Sequence, residues 1–527
     1  MAAKRILVIA GSDSSGGAGL EADQKVIAAH GCYAMTATTA LTAQNTQGVY
    51  GIHETPSDFV RKQIDACIED IGVDVVKTEG MLASASTVEV VADALRRHDV
   101  ALSVVDPVMV ATSGAQLLPE EAVETMCKQL LPTVTILTPN MPEALLLLKT
   151  SGQAAEEPKT LDDIIKIAKS VQKLGPKYVL LKGGHLPLTK DRVVSTQEAD
   201  HHSVINILYG EDQTIILETE HLRSKNTHGT GCSLASAIAS NLACGMETAQ
   251  AVTAANLYVE AGIRTSKDLG KGSGPINHFH SAYHLPFSPG HFVDYMLNRE
   301  DVKKAWLAYS EHEFVRQLAK GTLPLEKFKN YLVQDYLFLI HFARANALAA
   351  YKAKSLEDIK RSAENVTHIQ EEVKLHIEYC KEFGLSQDEI ENEEESEGRG
   401  DFEIRRYVLD VGQSEDWLAL QIALAPCLLG YGMIARRLYG DAETVREGNR
   451  YWKWIESYVS DDYTEAVRNG RDLIEKHAVK QSASRIEELV RMFIHATRME
   501  MGFWNMGFRE VSEGSSTGTT MRSPTVG

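Results

Sequence analysis

Five short runs of Val, Ile and Leu set the limits on what the first half of this 527-residue chain can fold into. They are "RILVIAG" (Arg5–Gly11), "VDVVKT" (Val73–Thr78), "LSVVDPV" (Leu102–Val108), "VTILTPN" (Val134–Asn140) and "KYVLLKGG" (Lys177–Gly184). Each is followed by a turn signal and then a helical pattern. A strand with one wet face alternates polar and apolar residues; a strand apolar throughout is covered on both faces. Such strands alternating with helices predict an α/β domain, a mostly parallel sheet covered by helices. "INILYGEDQTIILETEH" differs. Two apolar runs flank Tyr209–Asp212, which predicts a hairpin at the sheet edge.

The texture changes across Gly270–Gly290, where "GKGSGPINHFHSAYHLPFSPG" is rich in Gly, Pro and His. This places a first domain over residues 1–280 and a linker over 281–299. Beyond it, strand signals nearly vanish. Long segments of helical period rich in aromatics, such as "LEKFKNYLVQDYLFLIHFARANALAAYKAK", predict an all-α helical bundle over 300–511. The acidic run Glu391–Gly400 reads as a solvated loop. The tail 512–527, poor in apolar residues, reads as disordered.

The formal charge of −18 argues against nucleic acid or an acidic membrane surface as a partner. The seven cysteines (Cys32, Cys67, Cys127, Cys232, Cys244, Cys380 and Cys427) are scattered, without a CxxC or Cys/His cluster. Structural zinc and a disulfide framework are therefore not expected. The N-terminal apolar run is too short for a signal-peptide core. A reduced, cytoplasmic location follows as the expectation.

Polar signatures fall at the carboxyl ends of the apolar strands, where open α/β sheets bind ligands. "GSDSSGGAGLEAD" follows the first strand. Asp106 ends a strand in "VVDPVM", Asn140 ends one in "TPNMPEA" with Glu143 three residues on, and Lys182 ends one in "LLKGGH". In "KNTHGTGCSLASAIASNLACG", Leu234, Ile238 and Leu242 recur every four residues, so a helix starts near Gly229 to Cys232. Its first N–H groups have no partner within the helix, and glycines let a ligand close to them. The stretch reads either as a phosphate cradle or as a glycine turn entering a buried helix, with Cys232 a small core residue. Acidic groups for a metal, a lysine and such a cradle together suit phosphoryl transfer.

With "AGSDSSGGAGLEADQK", "TALTAQNTQGV", "DPVMVATSG", "TPNMPEA", "LLKGGH" and "NTHGTGCSLASAIA" in order, residues 1 to about 280 resemble the hydroxymethylpyrimidine and hydroxymethylpyrimidine-phosphate kinases of thiamin synthesis, within the ribokinase-like superfamily. The resemblance implies two sequential transfers from ATP with Mg²⁺, first to a pyrimidine alcohol and then to its monophosphate. It implies that Gln44 hydrogen-bonds the aminopyrimidine and that Asp23 and Met81 belong to the substrate pocket. Gly229, Thr230, Gly231 and Cys232 would hold the transferred phosphoryl group. Asn140, Glu143 and Lys182 would handle ATP and phosphate, with Asp106 and Glu143 on Mg²⁺. Cys232 stands where sugar kinases and many pyridoxal kinases of the superfamily have Asp, which argues against a pyridoxal-type kinase. It would act as base, its thiolate favoured at a helix start. Glu79, in "KTEGML", reads as a one-residue insertion that could shift Met81 or weaken binding of an anionic substrate.

In the second half, "ALAPCLLGYG" places Cys427 after Pro426 inside an apolar helix, where a proline removes a hydrogen bond and can kink the chain. Asp335 and Phe338, and Glu500 and Phe503, each sit one turn apart. A thiol, carboxyls and aromatics suit displacement at a cationic heteroaromatic ring, or simply a packed core. Through "NYLVQDY", "ALAPCLLGY", "WIESY" and "EMGFWNMGF", residues 300 to 511 resemble the thiaminase II (TenA) family. That implies Cys427 as nucleophile, Glu500 as general acid and Asp335 on the aminopyrimidine, with Tyr431, Tyr458 and Phe503 lining the pocket. Phe338 and Ile404 stand where the family tends to have tyrosines, which would lower activity.

The whole chain resembles the two-domain fungal type. The expectation is a salvage enzyme acting on small pyrimidines and ATP, assembled as a homo-oligomer, as both families commonly are. The alternative keeps the kinase and makes the helical half a binding or assembly module.

Overall fold

Each apolar run becomes a strand, and residue parity along it explains why none alternates with polar residues. In β1 (Arg5–Ala10), Leu7 and Ile9 enter one core and Ile6 and Val8 enter another. The other strands are β2 (Tyr33–Thr38), β3 (Ala40–Asn45), β4 (Gly48–Glu54), β5 (Val75–Glu79), β6 (Ser103–Asp106), β7 (Ile136–Leu137), β8 (Tyr178–Leu181), β9 (Ser203–Gly210) and β10 (Gln213–Glu220). The computed structural model describes residues 3–79, 82–109, 118–154, 156–184, 189, 194, 202–391 and 400–506. The chain divides into two units, Met1–Ala282 and Tyr283–Gly527.

In the first unit, eight strands form one sheet in the order β10-β9-β8-β7-β6-β5-β1-β2. Pairings from β2 through β8 are parallel; β9 and β10 close one edge as the expected antiparallel hairpin. One face is covered by α2 (Ser57–Asp70), α3 (Ala85–Arg97), α4 (Glu120–Thr125), α5 (Met141–Thr150) and α6 (Leu161–Gln172). The other is covered by α1 (Gly19–Ala29), α7 (Thr230–Ala243) and α8 (Thr248–Arg264). Strand β2 and the separate hairpin β3–β4 add to the five strands and the edge hairpin expected. Helix α7 starts as the sequence predicts, at Thr230, with Gly229 as its cap. Leu234, Ile238 and Leu242 face the core, but every residue from Cys232 to Ala243 is buried. Its serines and alanines are small enough for α1 and α8 to close over the rest of its surface.

The regular elements among the described residues of the second unit are all helices: α9 (Phe292–Asn298), α10 (Glu300–Ser310), α11 (Glu313–Ala319), α12 (Leu325–Lys352), α13 (Leu356–Glu382), α14 (Gln387–Glu391), α15 (Gly400–Ser414), α16 (Trp417–Gly440), α17 (Trp452–Val459), α18 (Asp461–Ala478) and α19 (Ala483–Met506). Helix α9 lies inside the stretch expected as linker. Phe292, Val293 and Met296 are buried in the helical core, and Glu475 accepts the N–H groups of Phe292 (2.8 Å) and Val293 (2.9 Å). A carboxylate at exposed N–H groups stabilises a helix start. Helix α16 runs unbroken through Pro426 and is long and apolar enough to cross a membrane, yet most of it is buried within the bundle. Met81, most of the acidic run and the tail lie outside the described residues.

Gly229 fixes how α7 begins. Its φ is +76°, and a Cβ there would lie 1.9 Å from the Gly17 carbonyl oxygen. Gly229→Ala should therefore destabilise the first unit by about 1–3 kcal/mol, combining backbone strain with displacement of the loop above it. The urea midpoint of that unit measures it; an unchanged midpoint would show that the two loops do not need this contact.

Candidate active sites

At the start of α7 two loops meet. Asp13 organises the Ser/Gly-rich loop: its carboxylate accepts the N–H groups of Ser15 (2.9 Å), Gly17 (3.1 Å) and Ala18 (2.9 Å). The same carboxylate lies 2.8 Å from Nε2 of His228, the residue before Gly229. Burial pushes the Asp13 carboxyl up, but the hydrogen bonds from His228, Ser15 and the loop N–H groups outweigh it and hold it below the usual carboxylate range. On β3, Gln44 places its amide nitrogen 3.4 Å from the same His228 nitrogen. The sequence reading missed Asp13 and His228, although His228 directly precedes the Gly-Thr-Gly-Cys motif.

Beneath this turn lie two lysine-centred groups. In the first, Lys182 Nζ is 2.5 Å from Asp106 Oδ1, which also accepts from Thr138 Oγ1 at 3.0 Å. Asp106 Oδ2 is buried and has no hydrogen-bond partner among the described residues. A Cβ on Gly231 would meet that oxygen at 3.1 Å and Lys182 Nζ at 3.2 Å, so any side chain there would push both groups away from the helix start by a few tenths of an ångström. Asn140 and Glu143 cap α5 reciprocally: Asn140 Oδ1 accepts the Glu143 N–H (2.9 Å) and Glu143 Oε2 accepts the Asn140 N–H (2.7 Å). Burial pushes the Glu143 carboxyl up to about 7, with Lys182 opposing and Asp106 reinforcing the shift.

In the second group, Lys77 Nζ lies 2.6 Å from Asp23 Oδ2 and 3.1 Å from Glu79 Oε2, and Lys77 has no exposed surface. Ser236 Oγ donates to Asp23 Oδ1 at 2.7 Å. Cys232 Sγ donates to Glu79 Oε1. The chain of contacts thus leaves α7 at Cys232, passes through Glu79, Lys77 and Asp23, and returns to α7 one turn later at Ser236. Two sequence expectations need correction. Asp23 does not line a pocket; it is fully buried with both oxygens engaged. Nor does the helix start favour the Cys232 thiolate: burial pushes the thiol well up, and the Glu79 carboxylate pushes it further, with Lys77 opposing.

The helical unit gathers its expected residues around aromatic rings. Tyr431 lies 5.1 Å from Tyr458 and 5.4 Å from Trp504 between ring centroids. Phe503 meets Tyr331 edge-on at 5.5 Å and Phe338 at 6.2 Å. Phe338 also stacks on Phe342, so the ring takes a packing role in place of a hydroxyl. Asp335 on α12 faces His376 Nδ1 at 3.7 Å, while Nε2 of that histidine lies 2.7 Å from the Leu332 carbonyl oxygen. Burial pushes the Asp335 carboxyl up, and His376 and Tyr331 pull it back. Glu500 on α19 is buried, its Oε1 has no partner among the described residues, and burial with Asp335 nearby pushes it up to about 8. Burial also pushes the Cys427 thiol well up, with Glu500, Asp335 and Glu372 adding to it. Ile404 lies in α15. Tyr331, His376, Glu372 and Trp504 were not singled out from sequence; helical spacing alone does not separate pocket rings from core rings.

Residues 13–277 match the family model for phosphomethylpyrimidine kinase, and residues 299–510 match that of the TENA/THI-4/PQQC family. A Schizosaccharomyces pombe protein, "Putative hydroxymethylpyrimidine/phosphomethylpyrimidine kinase 2", is 42% identical over 96% of this chain and 91% of its own length. The Saccharomyces cerevisiae hydroxymethylpyrimidine/phosphomethylpyrimidine kinase THI20 is 35% identical over 95% of this chain and 94% of its own. A Bacillus subtilis pyridoxal kinase solved as an ADP complex is 34% identical, covers 53% of this chain and 98% of its own, and superposes with a TM-score of 0.45.

Lys77→Ala would leave Asp23 and Glu79 buried without their cation. It should cost about 3–5 kcal/mol of stability in the first unit, read by urea unfolding. For Glu500 the sign is opposite to that of an ordinary carboxylate. Its folded pKa of about 8 lies above the ordinary carboxyl value of 4.5, so its contribution is full below the unfolded pKa and lost as pH rises through the folded one. The stability of the helical unit should fall between about pH 4.5 and 8, and Glu500→Gln should flatten that fall; equal slopes in both proteins would refute the assignment.

Proposed function

We propose that this chain, which belongs to the phosphomethylpyrimidine kinase family and carries a TENA/THI-4/PQQC-family second half, rebuilds and salvages the pyrimidine half of thiamin with two active sites. The first phosphorylates 4-amino-5-hydroxymethyl-2-methylpyrimidine and then its monophosphate. The second hydrolyses aminopyrimidines, and thiamin itself, to the same alcohol. One observation carries the kinase reading: Gly231 brings the bare start of α7 against a lysine and an unpartnered buried carboxylate oxygen, with Cys232 beside them.

At that site the N–H groups of Gly231 and Cys232 face the phosphoryl group in transfer, and Lys182 offsets its charge. Gln44 orients the aminopyrimidine. The acceptor hydroxyl oxygen attacks the terminal phosphorus of ATP as the bond to the leaving ADP breaks, and its proton passes to Cys232 Sγ as the thiol proton moves on to the Glu79 carboxylate. The residues fit a divalent cation, because Asp106 Oδ2 is buried and unpartnered; Asp106, with Glu143 behind it, would hold Mg²⁺. Bound there, Mg²⁺ supplies charge neutralisation on the phosphate oxygens.

At the helical site Asp335 holds the aminopyrimidine between the rings of Tyr431, Tyr458 and Phe503. Cys427 Sγ adds to the ring, Glu500 protonates the amine as its C–N bond breaks and takes up the thiol proton, and water then adds its hydroxyl at the methylene as the C–S bond breaks, its remaining proton returning to Cys427. Glu500 suits the acid role because burial keeps it protonated at neutral pH. The same reading has the protein cytoplasmic and assembled from several copies; the outward Leu41, Val49, Tyr50 and Ile52 of the β3–β4 hairpin support the second point.

The two sites separate by mutation. Cys232→Ala should lower ATP-dependent phosphorylation at least about 100-fold and leave ammonia release from the 5-aminomethyl pyrimidine intact. Cys427→Ala should do the reverse. Ammonia release measured without ATP decides the helical half: silence in a preparation that still phosphorylates would make that half a binding module.

A further inference from the structure

Cys32 and Cys244 are 212 positions apart in sequence, and their sulfurs are 3.8 Å apart in space. Cys32 follows the turn that ends α1, and Cys244 caps the far end of α7. Neither belongs to the sites above. Cys244 is exposed and Cys32 is partly buried, so a solvent-borne reagent reaches one sulfur while the other waits behind it. Each cysteine neighbours a left-handed glycine, Gly31 (φ +72°) and Gly245 (φ +90°), with open space around both. The sulfurs need to close by roughly 1.8 Å to reach a disulfide bond of about 2.05 Å.

We propose that Cys32 and Cys244 form a reversible disulfide when the protein meets a two-electron thiol oxidant such as hydrogen peroxide. Cys244 reacts first, because it faces water, while burial and the neighbouring sulfur push the Cys32 thiol up. The Cys244 thiolate attacks one peroxide oxygen, the O–O bond breaks, and hydroxide leaves and is protonated to water. The resulting sulfenic acid is attacked at sulfur by Cys32. The S–S bond forms, the S–O bond breaks, and the departing hydroxide leaves as water with the Cys32 proton. Two thiols are oxidised and one peroxide is reduced to two waters. A dithiol reductant reverses the change. The bond would close a loop through most of the first unit and oppose its unfolding.

The test treats the reduced full-length protein with hydrogen peroxide, alkylates remaining thiols and maps the peptides by mass. The expected product joins the Cys32 and Cys244 peptides with loss of two hydrogens, and dithiothreitol restores both thiols. In Cys32→Ser the reaction should stop at a sulfenic acid on Cys244 that dimedone traps. The inference is overturned if wild-type Cys244 proceeds to sulfinic acid while Cys32 is still alkylated, or if both thiols survive peroxide unchanged.

Discussion

A lysine ammonium with no access to water holds the first site in place. Taking Lys77 out of solvent is costly, and only its two carboxylate partners offset that. Asp23 comes from α1, Glu79 from the end of β5, and Ser236 and Cys232 from α7. The requirement to satisfy one buried charge therefore fixes the sheet and two helices together, at the point where α7 offers its bare N–H groups. Shape alone would tolerate a slide of α7 along its neighbours, since its small residues pack smoothly. The hydrogen bonds at Cys232 and Ser236, one turn apart, do not.

The two halves solve the same problem with different materials. In the α/β unit, backbone donors and paired charges are brought together by glycines that tolerate close approach. In the helical unit, the surroundings of Cys427 are aromatic rings and carboxyls, and burial shifts the carboxyls toward their neutral forms. The first arrangement suits a ligand whose charge must be matched. The second suits a flat ring that is stacked, with protons supplied at its edge.

How much was legible in the sequence follows from which interactions are local. The parity of β1, the β9–β10 hairpin and the start of α7 depend on neighbours in the chain, and each could be read. Strand β2, "YAMTAT", was missed because it is an edge strand with a mixed surface, and β3–β4 because it lies outside the main sheet. "NMPE" carried a second readable meaning, since Asn followed three residues later by Glu is a helix-start signature. Phe292, Val293 and Met296, read as linker, are apolar at helical spacing, but the run is short beside its glycines and prolines. Lys77, a charge inside an apolar strand, signalled a buried partner without naming it. The behaviour of Cys232 was not legible, because its thiol is set by Glu79, 153 positions away. Motif matching found the cysteine; only the folded chain supplies its field.

Helix α16 has a consequence for how the protein is made. It packs against α15 before it in sequence and α17, α18 and α19 after it. During synthesis its 24 residues leave the ribosome before two of the helices that cover them, α18 and α19, have emerged from it. For that interval the nascent chain displays a stretch as apolar as a membrane span, in a compartment full of chaperones and other unfinished chains. The thiol that would do chemistry in the finished bundle is thus carried on the segment most prone to be captured before the bundle exists.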